Sequence, residues 1–86
     1  MDIYTQLGKR ITYLRKQKKM SQLDLAIESD INKNYMSDLE RGKRNPTLNV
    51  LSRIAKALDC DLSTLLMGIQ DYSLEDIART IHLSNS

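Results

Sequence analysis

The 86-residue sequence holds one cysteine, one proline, three glycines, one histidine and no tryptophan or phenylalanine. A single cysteine, Cys60, excludes an internal disulfide and any zinc site built on cysteine pairs. A half-buried, small apolar residue is the expectation there. His82 has no Cys, His or carboxylate set spaced around it, so neither a metal nor histidine-based acid–base chemistry is expected. No glycine-rich phosphate loop or nucleophile–base pairing occurs, and no enzyme activity or cofactor is expected. Asp71, Glu75 and Asp76 read as helix-start charges rather than an acid–base pair. No apolar run approaches the ~20 residues that cross a bilayer, and no leader segment is visible, which makes the cytoplasm the expected location. The only aromatics are four tyrosines. A core must therefore come from Leu, Ile, Met, Val and Ala, and that palette favours helices over strands.

Net charge is only +2, but its distribution is lopsided. Residues 1–56 carry twelve Lys/Arg against six Asp/Glu, whereas residues 57–86 carry one Arg against five acids. A basic front and an acidic back suit a chain that turns one side to a polyanion, although two ordinary solvated surfaces have the same composition.

Apolar spacing predicts an all-α chain. Ile3, Leu7, Ile11 and Leu14 form one stripe of a helix over about 3–18, with Arg10, Arg15, Lys16, Lys18 and Lys19 toward its C-terminal pole. Ser21 caps a second helix, with Asp24 in the box position, ending near Ser29. Asp30 and Asn32 mark a turn. Asn32 also caps a third helix, with Tyr35, Met36 and Leu39 on its apolar face and Gly42 at its end. Pro46 breaks the following loop and Thr47 caps a fourth helix, whose stripe is Leu48, Leu51, Ile54, Ala55 and Leu58. Asp61 or Ser63 opens a short fifth helix containing Leu65, Leu66 and Met67 and stopped by Gly68. Ser73 begins a last segment with Leu74, Ile77, Ala78 and Ile81 on one face. The expected architecture is a compact five-helix domain over 1–68 with a short helical tail over 69–86.

The informative stretch is Ser21 to Gly42: two short helices joined by a tight turn, with small Ala26 at their close approach and Ile31 plugging the turn. This is the layout of a helix-turn-helix. The residues Ser21-Gln22-x-x-Leu25-Ala26, Ile31-Asn32 and Tyr35-Met36-Ser37-x-Leu39-Glu40-Arg41-Gly42 resemble the phage-repressor, or XRE-type, regulators that include the Cro-like proteins. Asn45-Pro46-Thr47, Val50-Leu51 and Ile54-Ala55-x-Ala57-Leu58 extend the resemblance over roughly residues 7–67. Tyr35 to Arg41 also look like restriction–modification controller proteins. Two positions depart from the pattern. Asp30 stands where the family usually has Gly, at a site that needs a left-handed backbone. Leu23 stands where a charged residue is usual, and can touch a thymine methyl, pack on a neighbour or simply be exposed.

The resemblance implies a recognition helix over about 33–41 lying in the major groove of double-stranded DNA. Lys33 and Asn34 then reach base edges, Lys suiting guanine O6/N7 and Asn suiting adenine N6/N7. Ser37 meets a base or a phosphate. Asp38 faces the same way and either accepts from cytosine N4 or acts by exclusion. Gln22, Tyr35 and the loop Lys43-Arg44-Asn45 are the implied phosphate contacts. Arg15 and Glu40 are the implied salt bridge that ties the first helix to the third.

The tail has apolar faces and few basic residues, and a helix of ~10 residues does not stand alone. Leu65, Leu66, Leu74, Ile77 and Ile81 are the expected homodimer interface, and a two-fold dimer implies a palindromic operator. The competing readings are a tail that completes the monomer core, and a protein-interaction module or antitoxin whose acidic tail binds a protein partner.

Overall fold

The structure is a computed structural model and describes residues 1–71. The expected last helix, with Ser73, Leu74, Ile77, Ala78, Ile81 and His82, lies outside the described residues. Five helices follow in order: α1 Ile3–Gln17, α2 Gln22–Glu28, α3 Lys33–Glu40, α4 Leu48–Ala57 and α5 Leu62–Leu65.

Each helix starts on a side chain that accepts from the first-turn backbone, satisfying donors that the helix itself leaves unpaired. Asp2, Ser21, Asn32, Thr47 and Asp61 take these positions. Ser21 and Asp24 close a reciprocal capping box, which matches the sequence expectation. Gly42 and Gly68 leave α3 and α5 with positive φ.

The core is aliphatic. Leu7, Ile11, Leu25, Ala26, Met36, Leu39, Ile54, Ala55, Leu58 and Leu65 are buried, with Ile31, Tyr35, Val50, Leu51, Leu66 and Ile69 among the residues packed against them. α1 lies against α3 and α5, α2 against α3 and α4, and α4 against α5. The α1–α3 approach is so close that a Cβ on Gly8 would stand 2.3 Å from the Glu40 carbonyl oxygen. Ile69 packs on the core, and Gln70 exchanges two hydrogen bonds with the Gln6 side chain, at 2.9 and 3.1 Å. Residues 69 and 70 are thereby fastened to the domain.

Two expectations from the apolar stripes are corrected. Leu48 opens α4 but is exposed, and Val50 takes its place in the packing. Leu65 was expected at a dimer interface, yet it is 0% exposed within its own domain. Its side chain belongs to the hydrophobic core and offers no surface to a partner. Leu66 is only half-buried. It borders a cleft of about 250 Å³ with Ile3, Tyr4, Leu7, Pro46, Leu51 and Ile69.

Candidate nucleic-acid interface

Asp30 adopts φ 55°, the left-handed conformation expected at this turn. That turn ends α2 and sends the backbone back into α3. The Ile31 amide donates to the Ala26 carbonyl at 2.9 Å, and Ile31 packs on the core beneath. The Asn32 side chain accepts from the Asn34 and Tyr35 amides at 2.7 and 3.3 Å. Lys33 and Asn34 thus sit exposed on a capped first turn. One helical turn on, Ser37 and Asp38 are half-buried.

A buried ion pair holds α3 against α1. The Arg15 guanidinium donates through Nε to Glu40 Oε2 at 2.7 Å and through Nη2 to Oε1 at 2.9 Å. The side chains are 11% and 4% exposed. Arg15 Nη1 also reaches the Met20 carbonyl at 2.9 Å, tying in the α1–α2 turn. Glu40 Oε1 lies 2.9 Å from the Thr12 hydroxyl and accepts from Gln22 Nε2 at 3.1 Å. Burial alone pushes the Glu40 carboxyl up, but the hydrogen bonds from Arg15, Gln22 and Thr12 outweigh it and hold it below its ordinary value. The hydrogen bond to Glu40 in turn raises Arg15. Both partners therefore stay charged inside the domain.

Gln22 braces α3 through Glu40 while its half-exposed side chain stays at the surface. Beyond α3, Lys43, Arg44 and Asn45 are all exposed. The Arg44 guanidinium lies over the Tyr35 ring, 5.1 Å from its centroid, a cation–π contact that fixes both. Asp38 does not stand free. Oδ1 accepts from Arg41 Nη2 at 2.5 Å and Oδ2 from Arg44 Nη2 at 3.3 Å. The Arg41 hydrogen bond holds its carboxyl below the ordinary value.

These contacts gather Tyr35, Asp38, Arg41 and Arg44 into one cluster, while Lys33, Asn34 and Ser37 lie on the same helix and Gln22 reaches its end through Glu40. Arg41 was missed as a member, although its i,i+3 spacing from Asp38 is a signal for the pair. Thr12 and Gly8 were missed as supports. A glycine inside an amphipathic helix is itself a sign of close packing, whereas nothing in the pattern marked Thr12. Part of the basic cluster on α1 serves the fold. Arg10 donates to the Thr64 carbonyl at 2.8 and 3.3 Å, joining α1 to α5, and Lys18 pairs with Asp59. Cys60 is half-buried, and burial raises its thiol. Among the described residues no group of His, Cys, Asp or Glu is placed to hold a metal ion, and no helix is long and apolar enough to cross a membrane.

Comparison with known proteins agrees with this geometry. Residues 11–65 match the helix-turn-helix family model. The immunity repressor protein of Bacillus phage phi105 is 35% identical over 60 residues, covering 70% of this chain and 42% of the repressor. This chain therefore spans less than half of that relative. Control protein C.BamHI of Bacillus amyloliquefaciens is 42% identical over 60 residues, covering 69% of this chain and 74% of that protein. Among solved structures, the restriction-modification controller protein C.AhdI from Aeromonas hydrophila superposes with a TM-score of 0.71 at 35% identity, over 72% of this chain and 94% of that one.

Proposed function

Because this chain belongs to the XRE-type helix-turn-helix family of DNA-binding transcriptional regulators, we propose that it works as a cytoplasmic homodimer that binds a palindromic operator and represses or autoregulates transcription. α3 enters the major groove. Lys33, Asn34 and Ser37 meet base edges, and Gln22, Tyr35, Lys43, Arg44 and Asn45 meet the phosphates on either side.

The observation that carries this reading is the placement of Lys33 and Asn34. They are exposed on the capped first turn of a helix whose inner face is locked to α1 by a buried ion pair. A base-reading helix needs that division: a free outer face on a rigid mount. The charge pattern supports it, because Arg41, Lys43 and Arg44 cluster at the end of α3, and a phosphate backbone requires such cations. For the partner face, half-buried Leu66 beside its apolar cleft supports an interface built with Leu74, Ile77 and Ile81, with Leu65 left out.

Selection of bound duplexes from a random-sequence pool at near-physiological salt tests the proposal. The expected product is a palindrome with half-site centres about one turn (~10 bp), or a multiple of it, apart, bound by two chains per duplex. Purely sequence-blind, salt-sensitive binding would overturn it and point to a protein partner instead.

A further inference from the structure

The Asp38 carboxylate lies on the recognition surface, where a negative charge opposes DNA. Two roles fit its position on α3: reading a base directly, or acting on other side chains. Its contacts favour the second. Each carboxylate oxygen already accepts from an arginine, Oδ1 from Arg41 and Oδ2 from Arg44. Its carbonyl accepts the Lys43 amide at 2.9 Å and the Arg41 amide at 3.1 Å. The same residue therefore closes the backbone turn out of α3 and holds two of the turn's cations. Arg44 is further confined by the Tyr35 ring. Asp38 is the most sheltered of the three charges, at 28% side-chain exposure against 65% for Arg41 and 49% for Arg44. The cluster presents two outward guanidinium groups around one recessed carboxylate, a net positive array.

We propose that Asp38 is a positioning residue rather than a base reader: it clamps Arg41 and Arg44 into a fixed phosphate-binding pair and limits how strongly they attract DNA of any sequence. The inference rests on the DNA-binding reading above. Long basic side chains left free bind a polyanion in many geometries, so they raise sequence-blind affinity without improving register. An ordered pair meets the backbone in one register, and one recessed negative charge offsets part of its pull. Arg41 thereby joins the phosphate-contacting set, and Asp38 acts through Arg41 and Arg44.

The test uses the full chain and its Asp38→Asn variant, with thermal unfolding as the control for folding. In the free protein, NMR of the arginine Nε–H groups is expected to show Arg41 and Arg44 ordered in the wild type and mobile in the variant. On DNA, the variant is expected to select the same base at every position of the half-site. Its affinity for scrambled duplex is expected to rise severalfold, with a steeper log-affinity versus log-salt slope. Asp38→Asn in an Arg41→Ala, Arg44→Ala background should lose most of this effect. Equal arginine mobility in the two proteins overturns the clamp without touching DNA. Loss or change of preference at a single base pair, with the rest of the motif intact, overturns it in favour of direct reading by the carboxylate. A wild type that selects no motif removes the role together with the DNA-binding reading beneath it, and is told apart by failing before any variant is compared.

Discussion

Arg15 and Glu40 meet through two parallel hydrogen bonds, at 2.7 and 2.9 Å, with hardly any of either side chain exposed. They lie 25 residues apart and join the last turn of α1 to the end of α3. The pairing is bidentate, and the glutamate has further donors in Thr12 and Gln22. That satisfaction is what a buried ion pair needs, since desolvation otherwise cancels the attraction. Removing one partner leaves a buried charge alone. Arg15→Gln and Glu40→Gln are each expected to cost ~3 kcal/mol, and the double variant clearly less than the sum. Urea unfolding of the four proteins measures the coupling; a value near zero would contradict a working pair.

Acid should weaken the domain through the same carboxylate. Glu40 lies below its ordinary value of 4.5 in the folded state. As pH falls, the unfolded chain therefore takes up this proton before the folded chain does. The stabilisation is complete above about pH 4.5 and is lost as pH falls through the lower folded value. Denaturation of wild type and Glu40→Gln at several pH values checks this. The gap between the two should be widest near neutrality and shrink in acid, while a constant gap would mean that Glu40 charge contributes nothing.

Gly8 is the contact point of α1 with α3. An alanine there gains ~1 kcal/mol of helix propensity. Its Cβ, however, would meet the backbone oxygens of Glu40 and Leu39 at 2.3 and 2.7 Å. Backbone cannot rotate away as a side chain can, so Gly8→Ala should be destabilising overall, by ~1–3 kcal/mol. A lower thermal midpoint is the expected readout; a higher one would show that the helices part easily.

Asp30 carries a non-glycine residue at φ 55°. Its side chain is 98% exposed and faces Arg53 only at 3.9 Å, a pair of little worth at the surface. Asp30→Gly removes the left-handed penalty and loses little else, so a gain of ~0.5–1 kcal/mol is expected. Chemical denaturation decides the sign.

Much of this fold is legible in the sequence because four of the five described helices announce their own start. Ser21, Asn32, Thr47 and Asp61 all cap the helices that their local spacing marks, and Pro46 and Gly42 punctuate the loop between α3 and α4. The Arg15–Glu40 contact was legible only through resemblance, because two residues that far apart share no local pattern. What the sequence hid is tertiary. The fifth helix is a single short turn in which Leu65 and Leu66 are neighbours in the chain with opposite fates. Periodicity over four residues cannot say that Leu65 goes into the core while Leu66 borders the surface cleft. Likewise the helical spacing set Asp38 on the same face of α3 as Lys33 and Asn34. Its pairing with Arg41 follows the i,i+3 spacing of a helix, but its engagement by Arg44 depends on the loop folding back over α3, which no spacing rule encodes.

The central claim, that the outer face of α3 reads bases, is tested most directly by measuring affinity for the selected duplex and for a scrambled duplex, at one fixed salt concentration, with wild type and Asn34→Ala. Asn34 is exposed and supports no core contact, so the variant should fold as the wild type does. The account predicts that Asn34→Ala loses ~1–3 kcal/mol per contacted base pair on the selected duplex and binds scrambled DNA as before. Equal loss on both duplexes, or no loss on either, would contradict it.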